Sequence, residues 1–530
     1  MSTVATTFAE VPQSQERPGW WKWAIAITAS LGAVLEVIDT SIVNVALPDM
    51  QGNLGATLSE IGWVVTGYAV ANVVMIPLSA WLGDYFGKKN YFIFCLVGFT
   101  LASVLCGMAT TLPMLILARV LQGLAGGGLL AKGQSIIFET FPPHQQNIAQ
   151  AVFGMGVMVG PALGPTLGGF ITDAIGWRWI FFINIPFGIL AVIAALIFFY
   201  PDKIDPEVRK RKVDWWGIGL LALALSSFQT MLEEGHQEDW FASAFIALMA
   251  VLSVVGIILF VWRELTVEHP AVDLRVLRYR SLAAGSVFSA LLGMGLYGAL
   301  FALPIFAQTL LHYNAEKTGF LLLPGAIASA VFMMVGAQLS RKLDNRILIA
   351  VGSIILALTM FYLAGINPNT NEDSLYWPLI WRGAGTVLMF MPLTLATLSP
   401  IPKQDIAAAS GFFNLTRQIG GSIGIAVLTT LLAERQNFHR SVLSEHISLY
   451  NPAVRAQIEG MAHHLQQQGT SIGMAKQQAL AIMDGMLSQQ AAVLSYADIF
   501  WFMGMVFVLS LGLLFFLGKG SKAELPIDSH

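Results

Sequence analysis

The chain has 530 residues, with 29 lysines and arginines against 32 aspartates and glutamates and a formal net charge of −3. Apolar residues make up 55%, charged residues only 12%, and the mean hydropathy is +0.66. An average soluble domain is roughly a quarter charged, so this little polar surface excludes a soluble fold of such length and leaves a polytopic membrane protein.

In chain order, a polar, proline-containing tail over 1–23 ends in Trp20-Trp21-Lys22-Trp23, an interfacial anchor. The apolar run that follows, 24–47, is too long for a removable signal peptide and lacks a small-residue cleavage site. Further runs of about 20 residues, enough to span a bilayer, lie at 61–82, 91–110, 113–138, 148–172 and 178–200. They complete a first half over 24–200. Two more, 214–234 and 240–262, fall in a linker over 201–280. A second half over 281–518 has runs at 281–303, 317–340, 347–367, 375–399, 408–432 and 498–518, and a tail over 519–530 closes the chain. The expected fold is all-α, with 14 transmembrane helices. Cys95 and Cys106 share one run about 16 Å apart along a helix, so they do not pair with each other and leave the redox compartment open.

Most of the basic residues mark one side of the membrane. With the N-terminus in the cytoplasm, that side holds Arg17, Lys22, Lys88, Lys89, Lys203, Arg209, Lys210, Arg211 and Lys212. It also holds Arg263, Arg275, Arg278, Arg280, Arg341, Lys342, Arg346, Lys403, Lys519 and Lys522, whereas the short loops opposite hold only Arg178 and Lys317. Both termini are therefore expected in the cytoplasm. The halves also echo one another. SAWLGDYFGKKN (79–90) returns weakly as AQLSRKLDNRIL (337–348), Arg119 in the fourth span has a counterpart in Arg382 of the twelfth, and the glycine-rich fifth span is loosely repeated in TRQIGGSIGIAV of the thirteenth. Two six-span halves with two inserted helices are a transporter architecture, with a substrate site near the midplane between halves.

Charges inside apolar runs carry the chemistry. Glu36 and Asp39 lie one helical turn apart on one face of the first span. An ionised carboxylate at bilayer depth is costly unless paired, hydrated or neutralised, and desolvation moves it toward a range where it can load and release protons. Lys132 lies deeper in the fourth span; it is expected to snorkel toward the cytoplasm, with a pair to Glu139 or an anionic substrate as alternatives. Gly156, Gly160, Gly164 and Gly168 recur every fourth residue, a groove for close helix approach, and Pro161 and Pro165 weaken the ladder beside it. A moving gate and plain close packing both fit that pattern. The polar segment 434–497, expected outside the membrane, reads as short amphipathic helices, and His463-His464 as a solvated face rather than a metal site. With no phosphate-cradling GxxxxGK[ST] motif and no nucleophile–base pattern, neither ATP-driven transport nor enzyme chemistry is expected, nor a cofactor, metal or nucleic-acid partner.

Together, the motifs DTSIVNVALP (39–48), RVLQG (119–123), the fifth-span glycines with Pro161, and WRWIFFINIPFG (177–188) resemble the major facilitator superfamily, in particular its fourteen-span drug:proton antiporters. The likeness covers nearly the whole chain and is greatest to the inner-membrane pumps of Emr-type tripartite multidrug systems. The loop after the second span departs from the pattern, with Ala80 for the usual glycine and Tyr85 for a frequent arginine, but keeps Asp84, Gly87, Lys88 and Lys89. The resemblance implies a major facilitator fold, export of lipophilic or cationic drugs, and a periplasmic adaptor leading to an outer-membrane channel. It places the first and fourth spans at a central cavity, where Asp39 and Arg119 meet as a proton switch or as a static brace. Glu36 then recognises cations, carries a second proton, or sits protonated against a neighbouring helix. Substrate-cavity residues are expected at Glu36, Asn44, Gln122 and Arg417, and gating residues at Asp84, Gly87, Gly156, Gly160, Pro161, Gly164 and Gly168. Transport of one metabolite, such as a siderophore or fatty acid, stays open as the alternative, with a transport-dead scaffold or sensor as a third class.

Overall fold

The computed structural model describes residues 18–201, 213–367, 370, 372–445, 447, 450–515 and 517, which are helical with no strand among them. Arg17, Lys203, Arg209, Lys210, Arg211, Lys212, Lys519 and Lys522, used above for orientation, lie outside the described residues. Among the described residues, thirteen helical segments are long and apolar enough to cross a membrane, two of them (112–140 and 179–198) interrupted, and the fifth span, bent by 43° between Pro143–Pro161 and Leu163–Ile175, makes the fourteenth. Pro161 lacks the N–H that the helical ladder needs and crowds the preceding turn, which accounts for the bend.

The first span, Trp20–Leu54, stops at Gly55, whose φ of +64° suits a residue without a Cβ. The second, Leu58–Phe86, starts three residues later behind a capping box: the Glu60 N–H donates to the Thr57 hydroxyl at 3.3 Å and the Thr57 N–H to the Glu60 carboxylate at 2.8 Å. The third is Lys88–Gly107, and the turn before it needs Gly87, at φ +94°. The expected single fourth span, 113–138, is two helices, Leu112–Gly126 and Leu129–Thr140. Close approach explains the break. A Cβ at Gly127 would sit 2.6 Å from the Asn72 carbonyl, and one at Gly128 2.4 Å from the Tyr91 hydroxyl. The sixth span is Asn184–Phe198, entered through Trp179–Phe182.

The inserted spans, Trp215–Glu234 and Ala244–Thr266, pack on each other, and the first of them also touches the second and thirteenth spans. Spans nine to twelve are Arg280–Thr309, Ala315–Lys342, Asn345–Leu363 and Glu372–Leu398. The spanning window of the eighth span is 22% buried, that of the seventh 44% and that of the twelfth 89%, so the eighth span is peripheral and the twelfth central. Packing repeats between halves: first on fifth as ninth on thirteenth, second on fourth as tenth on twelfth, and third on sixth as eleventh on fourteenth. Between the halves, the fifth span meets the tenth and the second meets the thirteenth.

The segment 434–497 differs from expectation. The thirteenth span runs unbroken over Ile406–Glu445, and the fourteenth lies within Ile472–Leu513 rather than at 498–518, leaving one short helix, Pro452–Gln467. Alanine, glutamine, leucine and methionine are good helix formers, so the helix continues where hydropathy falls. Arg435 and His439 pair with Asp498, and Arg440 with Asp484, tying the two long helices together. Ile458 and Ala462 of the short helix pack on Ala475, Ala479 and Met483.

Candidate functional site

Asp39 and Arg119 meet in the core of the first half, 2.5 Å apart and both closed to solvent. The carboxylate accepts two further hydrogen bonds at its other oxygen, from the Gln122 amide at 2.8 Å and the Asn184 amide at 2.9 Å. Arg119 also donates to the Gln122 carbonyl oxygen at 2.7 Å and the Val64 carbonyl at 3.1 Å, with its guanidinium 4.2 Å over the Tyr68 ring. Ser103 receives the Gln122 and Asn184 amides at 2.8 and 3.3 Å. Buried charge is tolerated on such terms, with a counter-ion and the remaining hydrogen-bonding capacity filled. In this conformation the pair is a closed brace.

Glu36 sits one turn away at the broken fourth span. The N–H of Leu130, freed by the break, donates to one Glu36 oxygen at 2.9 Å, and the Asn72 amide to the other at 2.9 Å. Both Glu36 oxygens thus accept from neighbouring helices, a contact compatible with each of the readings given above. The helix N-terminus it faces favours negative charge, and Arg417 of the second half is near enough to act on Glu36 electrostatically. Lys132 corrects the snorkelling expectation: it is 1% exposed, and a Cβ at Gly83 would lie 2.1 Å from its ammonium nitrogen. Its stem crosses toward the second span, where Gly83 leaves room, instead of reaching water. Glu139 pairs with Lys88 of the loop at Gly87. Lys89 donates to the Leu196 carbonyl at 2.7 Å at the end of the sixth span, and Asp84 is exposed.

Near this loop the two halves are sealed. Gln134, in the second part of the fourth span, accepts from Ser410 at 3.1 Å and Asn414 at 2.6 Å, and Asn414 in turn accepts from Arg417 at 2.6 Å. Asn147 donates to Ser340 at 3.0 Å, Ser399 to Gln146 at 3.1 Å, and Lys403 to the Glu139 carbonyl at 3.2 Å. The expected cavity residues are thus separated. Glu36 and Arg417 approach the seam, Gln122 is locked into the Asp39 cluster, and Asn44 is exposed and bonds within its own helix.

The expected gating glycines lie within the first half. A Cβ at Gly156, Gly160 or Gly168 would meet Val34, Val37 or Ile42 of the first span at 2.4, 3.0 or 2.9 Å, and one at Gly164 would meet the Ser41 hydroxyl at 1.8 Å. Pro161 instead lines a cavity of about 40 Å³ between the halves, together with Arg382. Sequence reasoning passed over Ser103, Asn184, Tyr68, Asn72, Gln134 and Asn414. Their one signal was polarity within apolar runs, which for uncharged side chains is weak.

Two pseudo-repeated six-span halves, a buried ion pair in one of them and a polar seam between them define a membrane transporter. The profile of the Major Facilitator Superfamily matches residues 29–425, and the chain belongs to that family. It is 35% identical to the multidrug export protein EmrB of Escherichia coli (strain K12), over 93% of this chain and 94% of that one. It is 33% identical to the fatty acid resistance protein FarB of Neisseria gonorrhoeae, over 90% and 92%. Its fold matches the proton:xylose symporter XylE with a TM-score of 0.61 at 13% identity, covering 94% of this chain and 96% of the other.

Proposed function

We propose that this chain is a multidrug efflux transporter that exchanges drugs for protons across the cytoplasmic membrane, with both termini inside. The observation that carries the coupling is Asp39, a fully buried carboxylate in a membrane helix, held by one arginine and two amides. Its proton traffic requires that Arg119 be displaced or the cluster hydrated, so the sealed conformation is one end of an alternating cycle. The export reading follows the relatives at 35% and 32% identity named for multidrug export. Drug addition to proteoliposomes with a preset pH gradient tests it: the wild type discharges the gradient, and Asp39→Asn does not. Discharge by Asp39→Asn at the wild-type rate refutes the assignment of Asp39.

The hairpin beyond the membrane suits a periplasmic adaptor that leads to an outer-membrane channel. A helix such as Ile406–Glu445, with 40 residues, is about 60 Å long and crosses about 30 Å of hydrocarbon. The projecting part exposes Phe438, Val442, Leu480 and Met486, apolar positions on which a partner helix can pack.

A further inference from the structure

The fifth span turns one face toward the second half, and its contacts there recur at helical spacing. At the inner end Gln146 accepts from Ser399 at 3.1 Å and Asn147 donates to Ser340 at 3.0 Å. Further out, a Cβ at Gly154 would meet Met333 at 2.8 Å and Phe390 at 3.5 Å. One turn beyond, Met158 lines the small cavity with Ser329 and Thr386. Ser329 and Thr386 each lie four residues before Met333 and Phe390 in their own helices, so the face is layered in register.

Gln150 occupies the centre of that face, four residues from both Gln146 and Gly154 and three from Asn147. It is 0% exposed, and neither its amide N–H nor its carbonyl oxygen has a hydrogen-bond partner among the described residues. Register puts it in a layer with Ala337 and Thr394, four residues beyond Met333 and Phe390. Ala337 has no polar side-chain atom to offer, and the Thr394 hydroxyl donates to the Phe390 carbonyl at 2.9 Å. Gln146 and Asn414, by contrast, are bonded across the seam. A buried amide with both ends unmet is costly. A face that had only to close would carry an apolar residue here, as it does on the opposing helices at Met333 and Phe390.

We propose that Gln150 reads substrate: when the halves part on the cytoplasmic side, its amide pairs with a neutral lactam or primary amide of an otherwise apolar molecule. Such a group holds an N–H and a carbonyl oxygen side by side, as Gln150 does, so the two close a pair of hydrogen bonds head to tail. Met333 and Phe390, at the next layer, supply an apolar and aromatic wall for a flat ring. Away from bulk water these bonds are strong, and a ligand that cannot make them is rejected. The inference rests on the export reading and narrows it: the pump selects by hydrogen-bond pattern as well as by lipophilicity and charge.

The test is equilibrium binding of the aromatic lactam carbostyril and of its N-methyl derivative to the full chain in phosphatidylcholine nanodiscs, with binding to empty nanodiscs subtracted. Methylation removes the donor and keeps the ring and the carbonyl. The wild type binds carbostyril at least about tenfold more tightly than the N-methyl compound. Gln150→Leu and Gln150→Met each bring the ratio to within about twofold by weakening carbostyril, and both fold, because they take unmet polar atoms out of a buried position. Tetraphenylphosphonium, which has no hydrogen-bonding group, reports the conformational balance: a plain shift toward the sealed form weakens all three ligands equally. Lack of discrimination by the wild type, discrimination retained in both variants, or equal losses for all three ligands overturns the proposal. Drug-driven proton movement in wild-type proteoliposomes is measured in parallel: its absence defeats the antiport reading, whereas its presence without lactam discrimination defeats this inference alone.

Discussion

Gly164→Ala is the most direct probe of whether the fifth-span glycines pack or slide. The new methyl group would fall 1.8 Å from the Ser41 hydroxyl oxygen, 2.8 Å from the Ser41 Cβ and 3.0 Å from the Ile42 nitrogen. Ordinary carbon contacts are about 3.5–4.0 Å, so the first and fifth spans must separate or Ser41 must turn away. Ser41 gives up its bonds to the Val37 and Ile38 carbonyls if it turns. Overpacking of this kind costs about 1–3 kcal/mol. Gly336→Ala is the control, because the nearest atom to its added Cβ is 3.8 Å away. Ser41→Gly removes both side-chain obstacles, so the double variant with Gly164→Ala recovers most of the loss. The assay is reversible denaturation of the purified protein alongside drug-driven proton movement. Packing predicts that stability and turnover fall together and are rescued together. A Gly164→Ala protein of wild-type stability with slowed turnover refutes the packing argument and restores the gate.

Three further outcomes follow from the charged clusters. Asp39→Asn leaves Arg119 buried beside neutral partners and destabilises by about 3–5 kcal/mol; Asp39→Asn with Arg119→Gln recovers much of that stability in a denaturation assay without recovering proton-coupled export. Glu36→Gln reduces resistance to cationic drugs more than to neutral or anionic ones at matched expression, and equal losses across a charge panel would show a general coupling or structural role. Gly87→Ala forces a Cβ into φ +94° and destabilises by about 1–2 kcal/mol, read by thermal unfolding, while exposed Gly473→Ala, with nothing within 4 Å of the added atom, does not.

Much of the fold was legible because each membrane crossing is local: about 20 apolar residues must appear in succession wherever the chain spans. The run at 61–82 lies inside its helix, and those at 214–234 and 375–399 each overrun theirs by a single residue. Helix continuity was less legible. Hydropathy changes at the membrane surface, but the helical ladder of Ile472–Leu513 does not, because its hydrogen bonds are satisfied within the segment. The break at Gly126–Gly128 fails to show for the opposite reason. Three glycines permit a break, but whether one occurs depends on how closely the Asn72 carbonyl and the Tyr91 hydroxyl approach from other spans.

The site divides along similar lines. A full charge in an apolar run demands a partner, and the resemblance put the first and fourth spans at one cavity, so the meeting of Asp39 and Arg119 was readable. Amides such as Asn184 and Asn72 make no comparable demand, and their roles emerge only when three helices converge. Lys132 shows the limit of arguing from depth alone. A long stem can run sideways as readily as along the membrane normal, and Gly83 on the second span decides between them. Glu36 joins these levels. Its carboxylate holds the first turn of Leu129–Thr140, and that helix also carries Gln134, bonded to Ser410 and Asn414 of the other half. One short helix therefore links a membrane-buried acid to the seal between halves, and the three glycines before it let that helix begin apart from the rest of its span.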